Sequence, residues 1–458
     1  MTAEKRYADM AEKYNVAAPR YTSYPTMPYW DVAAFDKAAW QQSIKLSFGE
    51  SNQTDGISLY VHLPFCESLC TYCGCNTRIT KNHSVEEPYI KAVLKEWKMY
   101  REIMDEVPVI REIHLGGGTP TFFSAENLHL LIEGLLDGVS IHPEAEFGFE
   151  AHPANTTVDH LQTLFDLGFR RLSLGIQDFD AKVQFIINRR QSFEQVDIVT
   201  RHARRMGYTS INYDLIYGLP LQTMEGLAKT IHQVAELMPD RIAFYSYAHV
   251  PWIKPGQRRF TEQDLPDAHD KSKLYEIGRS LLKSYGYREI GMDHFALPDD
   301  ELFSSELSGN LHRNFMGYTH QHTQLLVGLG VSSIGDSLYA FAQNVKVVED
   351  YLRLVNKDEF PVFKGHLLTD DDLILRIHIL NIMCKGATTW GQQKQTCPSL
   401  TNALNRLEPL ADDGLIELNS SGLKVTPDGK RFLRNICMAL DDRLWADKPA
   451  TQLFSMAI

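Results

Sequence analysis

From residue 56 to about residue 250 the chain alternates short β-rich runs with segments of helical period. The runs are "ISLYVHLP" (57–64), "IREIHLG" (110–116), "EFGFEAHP" (146–153), "RRLSLGIQ" (170–177), "INYDLIYG" (211–218) and "RIAFYSYA" (241–248). Between them, stretches such as "EEPYIKAVLKEWKMYREIM", "EQVDIVTRHARRM" and "MEGLAKTIHQVAELM" carry apolar residues at i, i+3, i+4 and i+7. Such alternation requires parallel strands joined by right-handed crossovers. Six units are too few to close the eightfold barrel, so the pattern predicts an α/β fold built on a partial (β/α)6 TIM-like barrel or an open doubly wound sheet. A further β-like run, "YREIGMDHFA" (287–296), would extend the sheet.

The flanks break this rhythm. Residues 1–55 show little periodicity and contain the turn-rich "APRYTSYPT" (18–26). After about residue 365 the pattern is mainly helical. It ends in "LADDGLIELNSSGLKVTPDGKRFLRNI", which reads as helix, strand, Ser-Ser-Gly hairpin, strand, and a helix opened by Thr426-Pro427. That order is winged-helix-like. DNA binding would need a basic face, but acids and bases nearly balance there, so a packing or lid module is the preferred reading. Three parts are therefore expected: an N-terminal extension (1–55) contributing to the active-site cover, a barrel (56–365) and a mainly helical C-terminal domain (366–458).

A net charge of −12 argues against broad nucleic-acid binding while permitting a local basic pocket for an acidic ligand. The opening "MTAEKRYADMAEKYN" lacks the apolar core of a secretory signal, and no apolar run approaches the ~18 residues of a membrane span. The expectation is a cytoplasmic protein with neither membrane nor nucleic acid as partner.

Four of the seven cysteines fall within ten positions, in "YVHLPFCESLCTYCGCN" (60–76): Cys66, Cys70, Cys73 and Cys75. A reducing cytosol disfavours a disulfide knot. Free cysteines are usually scattered and buried, which disfavours chance and leaves a metal. Structural zinc sites usually bring two separated ligand pairs, whereas these four are local. Thiolates also suit iron–sulfur clusters, and a [4Fe–4S] cube normally takes four. If Cys66, Cys70 and Cys73 take three corners, one iron keeps an open position of the kind a catalytic metal needs. Cys384, Cys397 and Cys437 read as core or surface thiols without a metal role.

The C-x₃-C-x₂-C triplet directly after a first strand resembles the signature of the radical S-adenosylmethionine superfamily. The resemblance implies that the open iron chelates the amino and carboxylate groups of S-adenosylmethionine. It also implies that one-electron cleavage yields a hydrogen-abstracting 5′-deoxyadenosyl radical. In such barrels chemistry gathers at the C-terminal strand ends. "GGGTP" (116–120) follows the second strand, its glycines allowing close backbone approach to a ligand. Glu150, Gln177, Asp214 and Ala248 are expected to end strands three to six. Each is weak evidence alone; beside the triplet they form a coherent rim.

Further motifs extend the likeness nearly end to end. "KYNVAAPRYTSYPT", "LGGGTPT", "LSLGIQDF", "NYDLIYGLP", "YAHVP", "GMDHFA", "LHRNFMGYT", "GLGVSSIG", "LADDGLIEL" and "RNICM" follow in an order that resembles the oxygen-independent coproporphyrinogen III oxidases. The resemblance implies oxidative decarboxylation of two propionates of coproporphyrinogen III to vinyls, giving protoporphyrinogen IX in heme biosynthesis. Carried over by motif, Cys66, Cys70 and Cys73 hold the cluster. Tyr60, Tyr72, Gly117, Glu150 and Ile334 contact the S-adenosylmethionine that ligates it. Gly118, Thr119, Gln177, Arg189, Asp214 and Ala248 match the positions for a second S-adenosylmethionine. Cys75 matches an extra cysteine that does not bind the cluster. It joins Tyr60 and His62 as candidates for the catalytic centre. Tyr60 and His62 lie two apart on one strand and so face the same side; a core histidine bonded to backbone is the competing reading of His62.

A substrate with four propionates needs local cations, for which Arg20, His312 and Arg313 are candidates. His152 departs from the family, which commonly carries an acidic or amide residue before that proline. The resemblance further implies an electron donor such as flavodoxin or ferredoxin, and a monomer. The nearest alternatives are a related heme chaperone and a heme-opening radical methyltransferase. The chaperone usually lacks both the cysteine at position 75 and the "PRYTSYP" element, and it carries His-Asn-x-x-Tyr-Trp where this chain has "HRNFMGYT" (312–319). A zinc-stabilised interaction module is the non-enzymatic alternative.

Overall fold

The structure, a computed structural model, describes residues 10–392, 397–449 and 451–457; most of the charged opening stretch lies outside them. All six expected strands form. They are β1 (Ile57–Leu63), β2 (Val109–Gly117), β3 (Ser140–Ala151), β4 (Phe169–Gln177), β5 (Ser210–Tyr217) and β6 (Arg241–Ser246). Each pairs in parallel with the next. The run at 287–296 becomes β7 (Arg288–Ile290) and β8 (His294–Ala296), added antiparallel beyond β6. The opposite edge was not expected from the sequence. There β9 (Leu325–Leu329) joins β1 in parallel, and β10 (Ile334–Asp336), β11 (Ala340–Asn344) and β12 (Val362–Leu367) continue antiparallel. The result is a twelve-stranded open sheet whose centre is a partial α/β barrel.

Alternation along each strand divides the sheet into two faces. Leu59, Val61, Ile113, Leu115, Phe149, Leu172, Leu174 and Leu215 point outward and are buried under the crossover helices. Trp97, Leu131, Leu164, Val199 and Ile231 meet them from helices Glu86–Ile103, Ala125–Leu136, Val158–Asp166, Phe193–Met206 and Met224–Leu237. Full burial stabilises each such side chain by about 1.5–3 kcal/mol. With the core on that face, the inner face is free to carry Tyr60, His114, Glu150, Ser173 and Asp214.

The segment read as aperiodic before residue 55 contains a helix, Lys37–Ser51, capped by the Asp36 carboxylate. Its buried side is Trp40, Ser43, Ile44, Ser47, Phe48 and Ser51, a face half made of serines, so an apolar pattern cannot reveal it. Ser43 Oγ lies 2.7 Å from Ser337 Oγ beside β10, which explains the serines. Glu96 secures the added strands: it accepts from Gly330 N–H (2.8 Å), Asn344 Nδ2 (2.6 Å) and Tyr351 Oη (2.6 Å).

A second core joins the C-terminal helices to Tyr21 and Tyr24 of the N-terminal segment. The expected hairpin forms as Ile416–Leu418 and Gly422–Val425, completed by Ala387–Thr389 into a three-stranded wing. The following helix starts later than expected. A turn follows Thr426, whose Oγ1 accepts from Gly429 N–H (3.1 Å); a 3-10 helix then spans Gly429–Phe432, and the α-helix begins at Leu433.

Candidate active site

The cysteine loop leaves β1 and is held by three neighbours. Thr119 N–H donates to Phe65 O (3.0 Å) and Gly118 N–H to Leu63 O (2.8 Å), lacing the glycine run to the loop's start. Thr71 N–H donates to Ile187 O (2.9 Å) and Asn188 Nδ2 to Leu69 O (2.7 Å). Lys254 Nζ donates to Cys75 O (3.2 Å) from the segment after β6. A hydrogen bond from Gln257 Nε2 reaches Ala248 O (3.1 Å), and a longer one reaches Tyr72 O (3.4 Å). Gln257 and Lys254 were not anticipated; among the turn residues of "VPWIKPGQRR" nothing in the sequence marks them.

These contacts frame a cavity of about 800 Å³. Cys66, Cys70, Cys73, Cys75, Tyr72, Gly117, Gly118, Thr119, Glu150, Gln177, Arg189 and Asp214 all line it. Of the predicted site residues, Tyr60, His62, Ala248 and Ile334 lie outside its wall. His62 is buried, with Nε2 donating to Asn76 O (2.8 Å) and Nδ1 accepting from Tyr60 Oη (3.2 Å). Its ring lies directly behind the cavity-lining Gly117, filling the space that a Cβ there would need, 2.7 Å away, and burial keeps it neutral. Tyr60 stacks at 6.1 Å on His114. The Ile334 main chain lies against Gly328, the β9 partner of Tyr60. Ala248 falls two residues beyond β6, and Asp214 sits in the middle of β5 rather than at its end. Asp214 still reaches the cavity because the inner face of β5 is open below the rim.

The thiols differ in environment. Burial pushes Cys66 up to about 11, with Thr119 Oγ1 3.3 Å from its sulfur as a weaker, opposing influence. A hydrogen bond from Cys75 draws Cys73 down to about 6, against the effect of burial. Arg189 Nη1 stands 3.6 Å from Cys70 Sγ, and the same buried guanidinium is fixed by the Gly175 carbonyl and by Gln191 Oε1 (3.2 Å). Three soft donors on one loop, faced by a buried cation, fit an anionic iron–sulfur cluster.

Across the cavity, the glycines are required rather than incidental. Gly117 has φ +112°, a conformation L-residues rarely adopt, and a Cβ on Gly118 would stand 2.6 Å from the Pro64 carbonyl. Glu150 accepts from Gly117 N–H (3.2 Å). Burial raises the Glu150 pKa, but the His114 hydrogen bond and charge outweigh it and hold the carboxyl below its ordinary range. Burial, then the Glu150 charge, lifts Asp214 to about 7 despite hydrogen bonds from Asn212 Nδ2 (2.9 Å) and Ser173 Oγ (3.3 Å). Two carboxylates, one held ionised and one raised to about 7, thus share one polar wall, a surface of acceptors suited to ammonium and ribose hydroxyls. His152 also lines the wall; burial and Arg189 keep it near 3, hence neutral.

The substrate cations expected from sequence are placed differently. Arg313 is buried 3.8 Å from Asp293 and lies 4.4 Å over Tyr318, while His312 lines a separate 160 Å³ pocket. Arg20 donates to Ser246 O (2.9 Å), close to the cavity-lining Tyr245. The cations on the cavity wall besides Arg189 are Lys81, Arg171, Arg190 and Arg241.

The radical SAM superfamily matches residues 60–234. Oxygen-independent coproporphyrinogen III oxidases from Synechocystis sp. and Escherichia coli are each 38% identical, over 98% of this chain and 98% of their own. The solved structure of coproporphyrinogen III oxidase from Escherichia coli, described as a radical SAM enzyme, superposes with a TM-score of 0.86 at 37% identity, covering 92% of this chain and 97% of that one.

Proposed function

The chain belongs to the radical SAM oxygen-independent coproporphyrinogen III oxidases, and we propose from that premise how its own residues serve the reaction. It is an enzyme that oxidatively decarboxylates two propionates of coproporphyrinogen III to vinyl groups. The chaperone and methyltransferase alternatives are not favoured, because the full-length relatives are oxidases. The observation that carries the assignment is the cysteine loop facing Gly117, Glu150 and Asp214 across one cavity.

Cys66, Cys70 and Cys73 hold a [4Fe–4S] cluster, and S-adenosylmethionine binds beside it. Together the two groups supply one-electron cleavage chemistry and a hydrogen-abstracting equivalent. Glu150 and the Gly117–Thr119 backbone would orient the cofactor's amino and ribose groups, and Tyr72 would contact it from the cysteine loop. Tyr60 and Ile334 contact the same S-adenosylmethionine, Ala248 contacts the second, and His62 stands with Tyr60 behind the glycine run at the catalytic centre. Arg189 neutralises cluster charge, and with Gln177 and Asp214 it borders the space for a second S-adenosylmethionine. Cys75, outside the ligand set, tunes Cys73 through its hydrogen bond.

The supporting reading extends to the whole chain. Residues 1–55 cover the site through Arg20, residues 56–365 hold the chemistry, and residues 366–458 brace the cover through their shared core. We place the enzyme in the cytoplasm as a monomer fed by a flavodoxin- or ferredoxin-type donor. Among the described residues no helix is long and apolar enough to cross a membrane. The test is anaerobic incubation of cluster-loaded protein with coproporphyrinogen III, reductant and S-adenosylmethionine. Mass spectrometry is expected to show loss of two carbon dioxide units; heme binding or ring opening without decarboxylation would reject the assignment.

A further inference from the structure

The rim beside the cysteine loop differs in character from the rest of the surface. Acids outnumber bases 58 to 46 in the chain, yet segments 66–82, 181–190 and 248–261 together hold eight Lys/Arg and one acid, Glu67; of the eight, Arg189 is buried and Arg78 pairs with Glu349 (2.9 Å), and Asp180, Glu262 and Asp264 border the segments. Lys182, Arg190, Arg258 and Arg259 are exposed, and none has an ion-pair partner among the described residues. Large apolar side chains stand among them: Leu69 is 41% exposed, Trp252 50%, Ile253 51% and Phe185 56%.

Several of these residues share one platform, while Trp252, on the same segment as Arg258 and Arg259, donates to Gln452 O (3.2 Å). Gly256 packs on Leu69, and both Arg190 and Arg259 lie over the Phe185 ring, at 5.7 and 5.3 Å. Beneath them Val183, Ile187, Tyr247 and Phe260 form a small separate core, against which Tyr72 of the cysteine loop packs. The platform is thus anchored to the loop itself, and Leu69 is the immediate neighbour of Cys70. An apolar centre ringed by unpaired cations is the surface an acidic protein recognises, and scattered single apolar residues would not combine the two. Residues bound to substrate would face into the cavity, whereas Phe185, Trp252, Ile253, Arg258 and Arg259 are not on its wall.

We propose that this face, built on Leu69, Phe185, Trp252, Ile253, Arg258 and Arg259, docks an acidic one-electron carrier protein beside Cys70. The proposal rests on the donor-dependent reading above and adds where the donor sits. Net repulsion between two acidic proteins is overcome because the basic patch presents the local field the partner meets on approach.

The test uses cluster-loaded enzyme and a flavodoxin, an acidic FMN protein, as the probe. Its affinity is measured by calorimetry at low and high sodium chloride for wild type, for Arg258→Glu/Arg259→Glu, and for the control Lys98→Glu/Lys283→Glu. The rim variant is expected to weaken binding about tenfold or more, and to lose most of the salt dependence that wild type shows. The control stays within about twofold, since its charges sit on helices Glu86–Ile103 and Ala268–Ser284, outside the rim segments. Dithionite bleaches the cluster of the rim variant at the wild-type rate, while reduced flavodoxin does so more slowly. Equal flavodoxin affinity in wild type and rim variant would overturn the proposal, as would equal loss in the control. Self-association of wild type abolished by the rim variant, without flavodoxin binding, would assign the face to a second copy instead. Absence of decarboxylated product from wild type with dithionite would reject the enzymatic assignment and leave the binding comparison standing.

Discussion

Four cysteines crowd one loop, and the local chemistry separates them. Cys66, Cys70 and Cys73 face the cavity with a hydroxyl, a guanidinium and a thiol beside them, whereas Cys75 is the exposed member that donates to Cys73. Serine at 66, 70 or 73 is therefore expected to abolish iron content and turnover, read by iron and sulfide analysis. Cys75→Ser keeps the cluster, and an iron-free product would make Cys75 a ligand. Asp214 offers a second test. Its pKa near 7 leaves it half-ionised at neutral pH, and the ionised form is the acceptor for ribose hydroxyls and the partner for cationic groups. Affinity for S-adenosylmethionine should rise between pH 6 and 8, and Asp214→Asn should flatten that slope, as calorimetry across the range would show. The sequence made Asp214 visible, since a carboxylate on a buried strand is conspicuous. Ser173 and Asn212, which hold Asp214, were not, because a serine or asparagine in a strand reads equally well as solvated.

At the scale of elements, the decisive contact is between the glycine run ending β2 and the start of the cysteine loop. Gly118→Ala would push a Cβ to 2.6 Å from the Pro64 carbonyl and 2.8 Å from that of Phe65, and backbone cannot yield as a side-chain tip can. Overpacking of this kind typically costs ~1–3 kcal/mol. Because the strain falls on the loop, the expected readout is a drop of about tenfold or more in S-adenosylmethionine affinity, with secondary structure unchanged by circular dichroism. The six barrel strands were legible from period alone. The edge β9–β12 was not: "LLVGL" and "AFAQN" are short, and what fixes them is Glu96, distant in sequence on another helix. Likewise the helix Lys37–Ser51 is hidden by serines that make sense only once Ser337 faces them. Local pattern reports what a segment buries in general, and these segments bury polar groups against particular partners.

Over the whole molecule, residues 17–20 meet residues 455–456. Ala17 pairs with Met456, and buried Arg434 donates to carbonyls of Ala18, Pro19 (3.1 Å), Ser455 (2.9 Å) and Met456 (2.6 Å). Arg20 follows directly and reaches the end of β6, so the clasp holds Arg20 there. Arg434→Met would leave these carbonyls unpaired, at about 1–3 kcal/mol for a buried group left without its partner. Limited proteolysis should then cut near residues 15–20 and 451–457 while the cluster remains; unchanged protection would remove the clasp from the account. The central claim is that the loop supplies three sulfur ligands and leaves one iron free for S-adenosylmethionine. Electron paramagnetic resonance of the reduced, cluster-loaded protein tests it most directly. Adding S-adenosylmethionine is predicted to shift the signal, and a spectrum unchanged by the cofactor would mean that the protein already fills the fourth position.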